Sequence, residues 1–397
     1  VGEQRFGIRE IQIRGFRSAR SVDFQPGPVC ALVGGPSVGK SNVLEAIWTL
    51  LQQGQPTPAD TDRSSPGADG IELRARLSGG EELALEAGAS DPLRASGAEV
   101  PVLFLPAALR ARRLLASPVA SAVARAAGEY FQREDPESAG ASAAALVAGL
   151  EALCSAGTEA LVLLIEEPEL FLRPQTQRYL YRLLRKLALA GNQVIHSTHE
   201  PAFLNVARLE ELALVENRSH LGTTVTQPRG LDADAAFRAI SELDAERGEL
   251  FFASAVVLVE GRTEKLTLPF IFSALGYDID REAITIVDCG GKPNIPLFIR
   301  ICHSVGVPCV AIHDRDASTG RAPSHAEQLL NAEIVRLAGA NATIELARDF
   351  EAVAGLRGHR HKPTRAFEHF AHVDGEGVPG PLREAVVKAM ALARGER

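Results

Sequence analysis

The sequence predicts an α/β fold in two successive parts, and three observations predict it. The apolar run Val29-Cys30-Ala31-Leu32-Val33 leads directly into the glycine loop Gly34-Gly35-Pro36-Ser37-Val38-Gly39-Lys40-Ser41. A second apolar run, Ala160 to Ile165, ends in Glu166-Glu167-Pro168-Glu169. From Ala255 onward, short apolar runs alternate with helical stretches, the pattern of a small parallel sheet.

Taken in order, residues 7–33 read as strand, turn and strand, and Ser41 to about Leu51 as an amphipathic helix. Residues 52–69, rich in Pro, Ser, Asp and Gly, read as a loop. Alternation over Ile71–Leu77 and Glu82–Glu86 predicts a hairpin turning at Ser78-Gly79-Gly80-Glu81. Residues 103–150 read as helical, a short insertion broken near Asp135-Pro136. A helix from Pro174 to Ala190 precedes a strand from Gln193 to Ser197, and 206–230 look like closing strands. That gives a first domain over 1–230 and a helical connector over 231–250. A second domain over 251–397 has strands at Val256–Val259, Ile284–Val287 and Pro308–His313, with helices near 264–275 and 295–305.

A length of 397 residues accommodates two cores, and 46% hydrophobic with 23% charged residues is the balance of a soluble globular enzyme. No apolar run is long enough to cross a bilayer and no charged-then-apolar leader opens the chain, so no membrane partner and a cytoplasmic setting are expected. The opening Val1 suggests a processed or trimmed start. Cys30, Cys154, Cys289, Cys302 and Cys309 form no C-x-x-C pair, which suits buried thiols in a reducing compartment. The net charge of −8 does not advertise a nucleic-acid binder, but local basic patches can coexist with it. Two patches qualify: Arg110-Ala111-Arg112-Arg113, and Arg357 through Arg365 with His359, Arg360, His361 and Lys362. A solvated charged face explains each equally well.

The loop at 34–41 fits G-x-x-x-x-G-K-[ST] with a strand before it and a helix after it. Backbone N–H groups between Gly34 and Gly39 can wrap the phosphates of ATP, Lys40 reaches the outer phosphates, and Ser41 ligates Mg2+. Glu166 and Glu167 stand at a strand's C-terminal end, where ligands bind in such sheets. Glu166 would orient Mg2+ through water and Glu167 would polarise the attacking water. His199, at the end of the next strand, would reach the γ-phosphate.

The second acid set is Glu260-Gly261-Arg262-Thr263-Glu264 with Asp314-Arg315-Asp316. Glu260, Asp314 and Asp316 follow apolar strands, and Glu264 opens a helix. Singly, Glu264 reads as a helix N-terminal acid and the aspartates as a turn. Together, four acids at one sheet edge repel one another unless cations neutralise them, the condition for a hard-metal site. Such a site can activate water and stabilise an in-line phosphoryl displacement.

Residues 13–18, Glu167-Pro168-Glu169, Pro174-Gln175 and His199 resemble the ABC-type ATPases of the SMC and RecF kind. Two departures are Pro36, where that family usually has Asn, and Glu166, where its first Walker B acid is usually Asp. Leu77-Ser78-Gly79-Gly80-Glu81 spells the ABC signature but sits between alternating strands, so a hairpin is expected; the segment in signature position is the degenerate Ser138-Ala139-Gly140-Ala141-Ser142. Residues 252–320 resemble a Toprim domain. That resemblance implies Glu260 as metal ligand or general acid–base, Asp314 and Asp316 as ligands, and Glu264 at a second metal position. It adds Glu351, after Arg348-Asp349-Phe350, as a further acid and Lys362 as a transition-state stabiliser.

An ABC-type ATPase followed by a smaller Toprim domain resembles the OLD-family (overcoming lysogenisation defect) nucleases of anti-phage defence. The resemblance implies ATP, two Mg2+ or Mn2+ ions, a DNA substrate with RNA left open, a homodimer or larger assembly through the ATPase domain, and a helicase-like partner. The expected activity is an ATP-regulated, metal-dependent DNA endonuclease or nickase with slow ATP hydrolysis. The alternative is a RecF-like DNA clamp with a non-catalytic Toprim fold. Topoisomerase chemistry is disfavoured, because Tyr130, Tyr179, Tyr181 and Tyr277 lie in helical stretches or at helix ends without strand-passage domains.

Overall fold

The computed structural model describes residues 6–56, 60, 70–88, 94–97, 100–107, 139–156, 160–204, 208–218, 220–315, 323–347, 349–355 and 362–395. These form two compact units, Val1–Pro228 and Arg229–Arg397. The first contains β1 (Ile8–Phe16), β2 (Ala19–Phe24), β3 (Val29–Val33), α1 (Lys40–Leu51), β4 (Gly70–Leu77), β5 (Glu82–Gly88), β6 (Arg94–Ser96) and β7 (Val102–Leu105). It continues with α2 (Ala139–Ala156), β8 (Val162–Glu166), α3 (Pro174–Leu189), β9 (Gln193–Thr198), β10 (Leu212–Arg218) and β11 (Gly222–Thr226).

Two sheets build this unit. One has the order β2-β1-β4-β5-β6, antiparallel throughout; the other has the order β11-β10-β3-β9-β8-β7. In the second, every neighbour from β10 to β7 is parallel, and only β11 is antiparallel. Strands covered on both faces read as near-continuous apolar runs; β3 and β8 are buried at all five residues, with Glu166 at the end of β8 as the one charged member. The helix α1 fills the space between the sheets: Val43, Leu44, Ala46, Ile47 and Leu50 recur at helical spacing and join one core with residues of β1, β4, β8 and β9. Gln193 ties the sheets by polar contact, its amide exchanging 2.8 Å hydrogen bonds with both the N–H and the carbonyl of Ile8.

The helical expectation for 103–150 fails at its start, where Val102–Leu105 is the strand β7, paired in parallel with β8. Pro101 and Pro106 bracket it, and alternate burial replaces helical periodicity. Residues 108–138 lie outside the described residues, with Arg110–Arg113 and Ser138 of the signature segment among them; α2 begins at Ala139. Leu77-Ser78-Gly79-Gly80-Glu81 is a hairpin turn. Leu77 N–H donates to the Glu81 carbonyl at 2.8 Å, and Gly80 takes a φ of 89°.

The second unit contains α4 (Ala233–Glu242), β12 (Ala255–Val259), α5 (Arg262–Ala274), β13 (Ile284–Asp288), α6 (Ile295–Val305), β14 (Cys309–Asp314), α7 (His325–Ala338) and β15 (Thr343–Leu346). The short α8 (Phe350–Val353), then α9 (Lys362–Phe370) and α10 (Gly380–Ala393) complete it. Its four strands run in parallel in the order β13-β12-β14-β15. Phe272, Leu382, Val386 and Met390 from α5 and α10 pack with Val257 and Val310 of the sheet. Residues 231–250 pack within this unit: Leu250 is buried, and the Arg247 guanidinium donates to the Asp288 carbonyl at 2.8 Å.

A turn glycine in open space tolerates substitution, and a Cβ at Gly79 would meet nothing within 4 Å. Gly79→Asp is expected to change unfolding free energy by under about 0.5 kcal/mol and leave ATP affinity unchanged, by denaturant melts and nucleotide titration. Loss of nucleotide-dependent behaviour would show that this turn acts as a signature after all.

Candidate functional site

In the first unit, β3, β9 and β8 are neighbours, so the segments leaving their C-terminal ends converge on one edge. The loop after β3 is tightly built. A Cβ on Gly39 (φ 104°) would lie 2.0 Å from Thr223 Oγ1, and one on Gly34 would lie 2.2 Å from the Val215 carbonyl oxygen. Only glycine fits either place. Lys40 is buried, and its ammonium donates to the carbonyls of Gly34 and Gly35 at 2.7 and 2.6 Å. Burial lowers its pKa, opposed by the nearby charges of Glu167 and Glu169. Ser41 is exposed in the first turn of α1, a turn that carries no acid to offset the positive helix end.

Glu166 is the last residue of β8 and accepts from Ala107 N–H at 2.9 Å. Glu167 turns away in the left-handed region (φ 41°), and its N–H donates to the Ser197 carbonyl at 3.1 Å. Its Oε1 lies 3.0 Å from His199 Nδ1, which brings the two residues expected to handle water and γ-phosphate into direct contact. Beside them is an acid the sequence did not single out for a role. Glu169 is 2% exposed and accepts from Thr198 Oγ1 at 2.6 Å, and burial pushes its carboxyl up to about 7.

In the second unit the edge is more acidic. Glu260 follows β12, and its Oε1 accepts from Asp314 N–H at 2.6 Å, so the ends of β12 and β14 are latched together. Glu264 sits in the first turn of α5, 8% exposed. Burial pushes its carboxyl up to about 7, helped by the charges of Glu260, Glu351 and Asp288. Glu351, in α8, therefore belongs to the same electrostatic cluster. Arg315 turns out to Glu345 at 3.4 Å, while Asp316 lies outside the described residues. Lys362 opens α9 with its side chain outside them, as are 357–361 of the basic patch and Arg348.

Two residues at this edge were missed. Asp288 ends β13 as Glu260 and Asp314 follow or end their strands, and the apolar run Ile284–Val287 before it was the available signal. Lys292, only 5% exposed, follows Gly290-Gly291 and donates from Nζ to the Asp314 carbonyl. Gly291 N–H donates to the Glu260 carbonyl at 2.7 Å, so this turn closes over the acids. The carboxylates offer hard oxygens, the set that suits Mg2+ or Mn2+, and a cation would offset the neighbouring charges that add to burial in raising the Glu264 pKa. Among the described residues, no three acidic, histidine or cysteine side chains close into a ready cage.

Residues 251–316 match the Toprim domain of the overcoming lysogenization defect protein-like family, and residues 132–204 match an AAA ATPase domain. Matches to an ATPase domain and to an OLD-like Toprim domain thus lie on one chain, in that order. It is 35% identical over 263 residues to the OLD nuclease of Thermus scotoductus, covering 61% of this chain and 50% of that protein. It is 26% identical over 179 residues to the Old nuclease of Escherichia phage P2, covering 43% and 30% respectively. The chain thus spans half the length or less of these relatives. Among solved structures, the SMC head domain from Thermotoga maritima is 18% identical, covering 56% of this chain and 99% of that one, with a TM-score of 0.41.

An acid with a higher pKa folded than unfolded binds more protons when folded, between the two values. For Glu264, stability therefore falls as pH rises from about 4.5 to about 7 and stays lower above that. In chelator, Glu264→Gln is expected to stabilise the protein by on the order of 2 kcal/mol at pH 8 and by little at pH 5, read from urea melts. Equal effects at both pH values would contradict the buried repulsion.

Proposed function

We propose that this chain is an ATP-regulated, divalent-metal-dependent DNA endonuclease or nickase, acting in defence against phage or in DNA processing. The observation that carries the proposal is the acid edge of the Toprim unit, where Glu264 is buried beside Glu260, Asp288 and Glu351 and its charge is repelled by all three. Glu260, Glu264, Asp314, Asp316 and Glu351, with Asp288, would hold two Mg2+ or Mn2+ ions. Bound there, such ions would acidify a water and neutralise charge on the phosphodiester.

The remaining work falls to the chain itself. Glu260 is oriented by Asp314 N–H, which fixes one of its carboxylate oxygens. Lys292 supports the Asp314 backbone and brings a positive charge to the edge, while Lys362 is assigned to the transition state. In the ATPase unit, Gly34, Gly39, Lys40 and Ser41 bind triphosphate and Glu166 orients its Mg2+. Glu167 polarises water, held in place by His199. With Pro36 and Glu166 departing from the usual ATPase pattern, this site works as a slow gate. A second copy joining through the ATPase unit and a helicase-like protein complete the proposed partners. The five cysteines, all free, suit the cytoplasm.

The test is plasmid nicking with Mg2+ or Mn2+, with and without ATP, and a parallel RNA arm. Glu260→Ala and Asp316→Ala are each expected to lower cleavage at least about 100-fold while leaving ATP binding intact. Unchanged cleavage in both would sink the nuclease reading. Clean protein that retains DNA in the presence of ATP but cuts nothing would favour the clamp alternative.

A further inference from the structure

We propose that Glu169 is a positioning residue that locks the His199 turn against the Glu166–Glu167 turn and so sets the water-polarising pair for ATP hydrolysis. The inference rests on the reading of the 34–41 loop as part of an ATP-hydrolysing site. It adds a residue to which neither the ATPase pattern nor the sequence gave a role.

The geometry is a closed chain of contacts. Thr198 Oγ1 donates its one proton to Glu169 Oε1 at 2.6 Å, and one of its lone pairs accepts from Glu200 N–H at 3.1 Å. His199 lies between Thr198 and Glu200, so both ends of its turn are held by a single hydroxyl whose direction Glu169 sets. From the other side, Glu169 is three residues beyond Glu166, and its carbonyl accepts from Leu172 N–H at 3.0 Å. The backbone is strained on both sides of Glu169: Glu167 and Phe171 take φ of 41° and 64°, values that non-glycine residues hold only when surrounding contacts over-determine them. Glu169 joins the two turns from the buried side, alongside the Glu167–His199 contact.

A packing role alone does not explain the residue. Glu169 is 2% exposed, and its Oε2 has no hydrogen-bond partner among the described residues, an arrangement that costs stability and that an apolar side chain would avoid. Glutamine keeps a side-chain oxygen that can accept from Thr198 Oγ1, whereas alanine removes it. Glu169 acts on the reaction through Thr198 and His199, and its effect should appear in turnover and not in nucleotide affinity.

The experiment uses the full chain with Glu169→Ala, Glu169→Gln, Thr198→Val and the Ala/Val double variant. It follows phosphate release from ATP and the Nδ1 resonance of His199 in 15N-histidine-labelled protein, assigned with His199→Gln. Glu169→Ala and Thr198→Val are each expected to lower kcat about 10–100-fold, with the KM for ATP held within about threefold. The double variant should be no worse than Thr198→Val alone, because that substitution already cuts the contact with Glu169. Glu169→Gln should keep turnover, and the His199 resonance should move in the Ala and Val variants only. Unchanged kcat in Glu169→Ala, additive losses in the double variant, or equal losses in Ala and Gln would overturn the proposal. If the wild-type chain binds ATP without hydrolysing it, the hydrolysis reading fails by itself. The His199 resonance then decides the role of Glu169: movement in Ala but not Gln supports it, and no movement overturns it. Thr198→Val, nearly isosteric, carries the test if Glu169→Ala does not fold.

Discussion

Parallel strand pairing is the constraint on which both sites depend. Strands that run side by side in one direction must all end at the same edge, so whatever follows them is gathered there. In the first unit that edge collects the phosphate loop after β3, the paired glutamates at β8 and the histidine after β9. In the second it collects Glu260, Asp288 and Asp314 from three adjacent strands, with Glu264 in the helix that follows the first. Gathering like charges in a half-buried place is unfavourable: burial, and then the charges of Glu260, Glu351 and Asp288, raise the pKa of Glu264.

The two units answer that strain differently. In the first, positive charge is built in: Lys40 is folded onto its own loop carbonyls close to Glu167 and Glu169, and an unopposed helix N-terminus lies next to it. In the second, Lys292 donates to the Asp314 carbonyl and Asp314 N–H to Glu260, while burial and the neighbouring acids press Glu264 toward its protonated form. On the proposed reading, the first edge is prepared for a polyanionic nucleotide and the second for cations.

Much of this was legible in the sequence because the relevant signals are local. A continuous apolar run ending in an acid marks a buried parallel strand and its functional end, and Glu166, Glu260 and Asp314 were placed that way. The Ser78–Glu81 turn was legible because strict alternation flanks it on both sides. What was not legible depends on partners far along the chain. The strand Val102–Leu105 exists because it pairs with β8 some sixty residues later, and a four-residue apolar run beside Ala-rich sequence carries little periodicity of its own. Glu169 and Lys292 look like surface charges in sequence; only the packed fold shows them buried. Asp288 could have been found from the run before it but lacks the glycine that flags Glu260.

The most direct test of the account is a count of cations at the second edge. Mn2+ binding to the nucleotide-free chain can be followed at pH 8 by electron paramagnetic resonance, comparing wild type with Glu260→Gln and Glu264→Gln. The account predicts about two ions per chain in the wild type and at least about 10-fold weaker binding in each variant. Binding that is absent in the wild type, or unchanged in both variants, would contradict it.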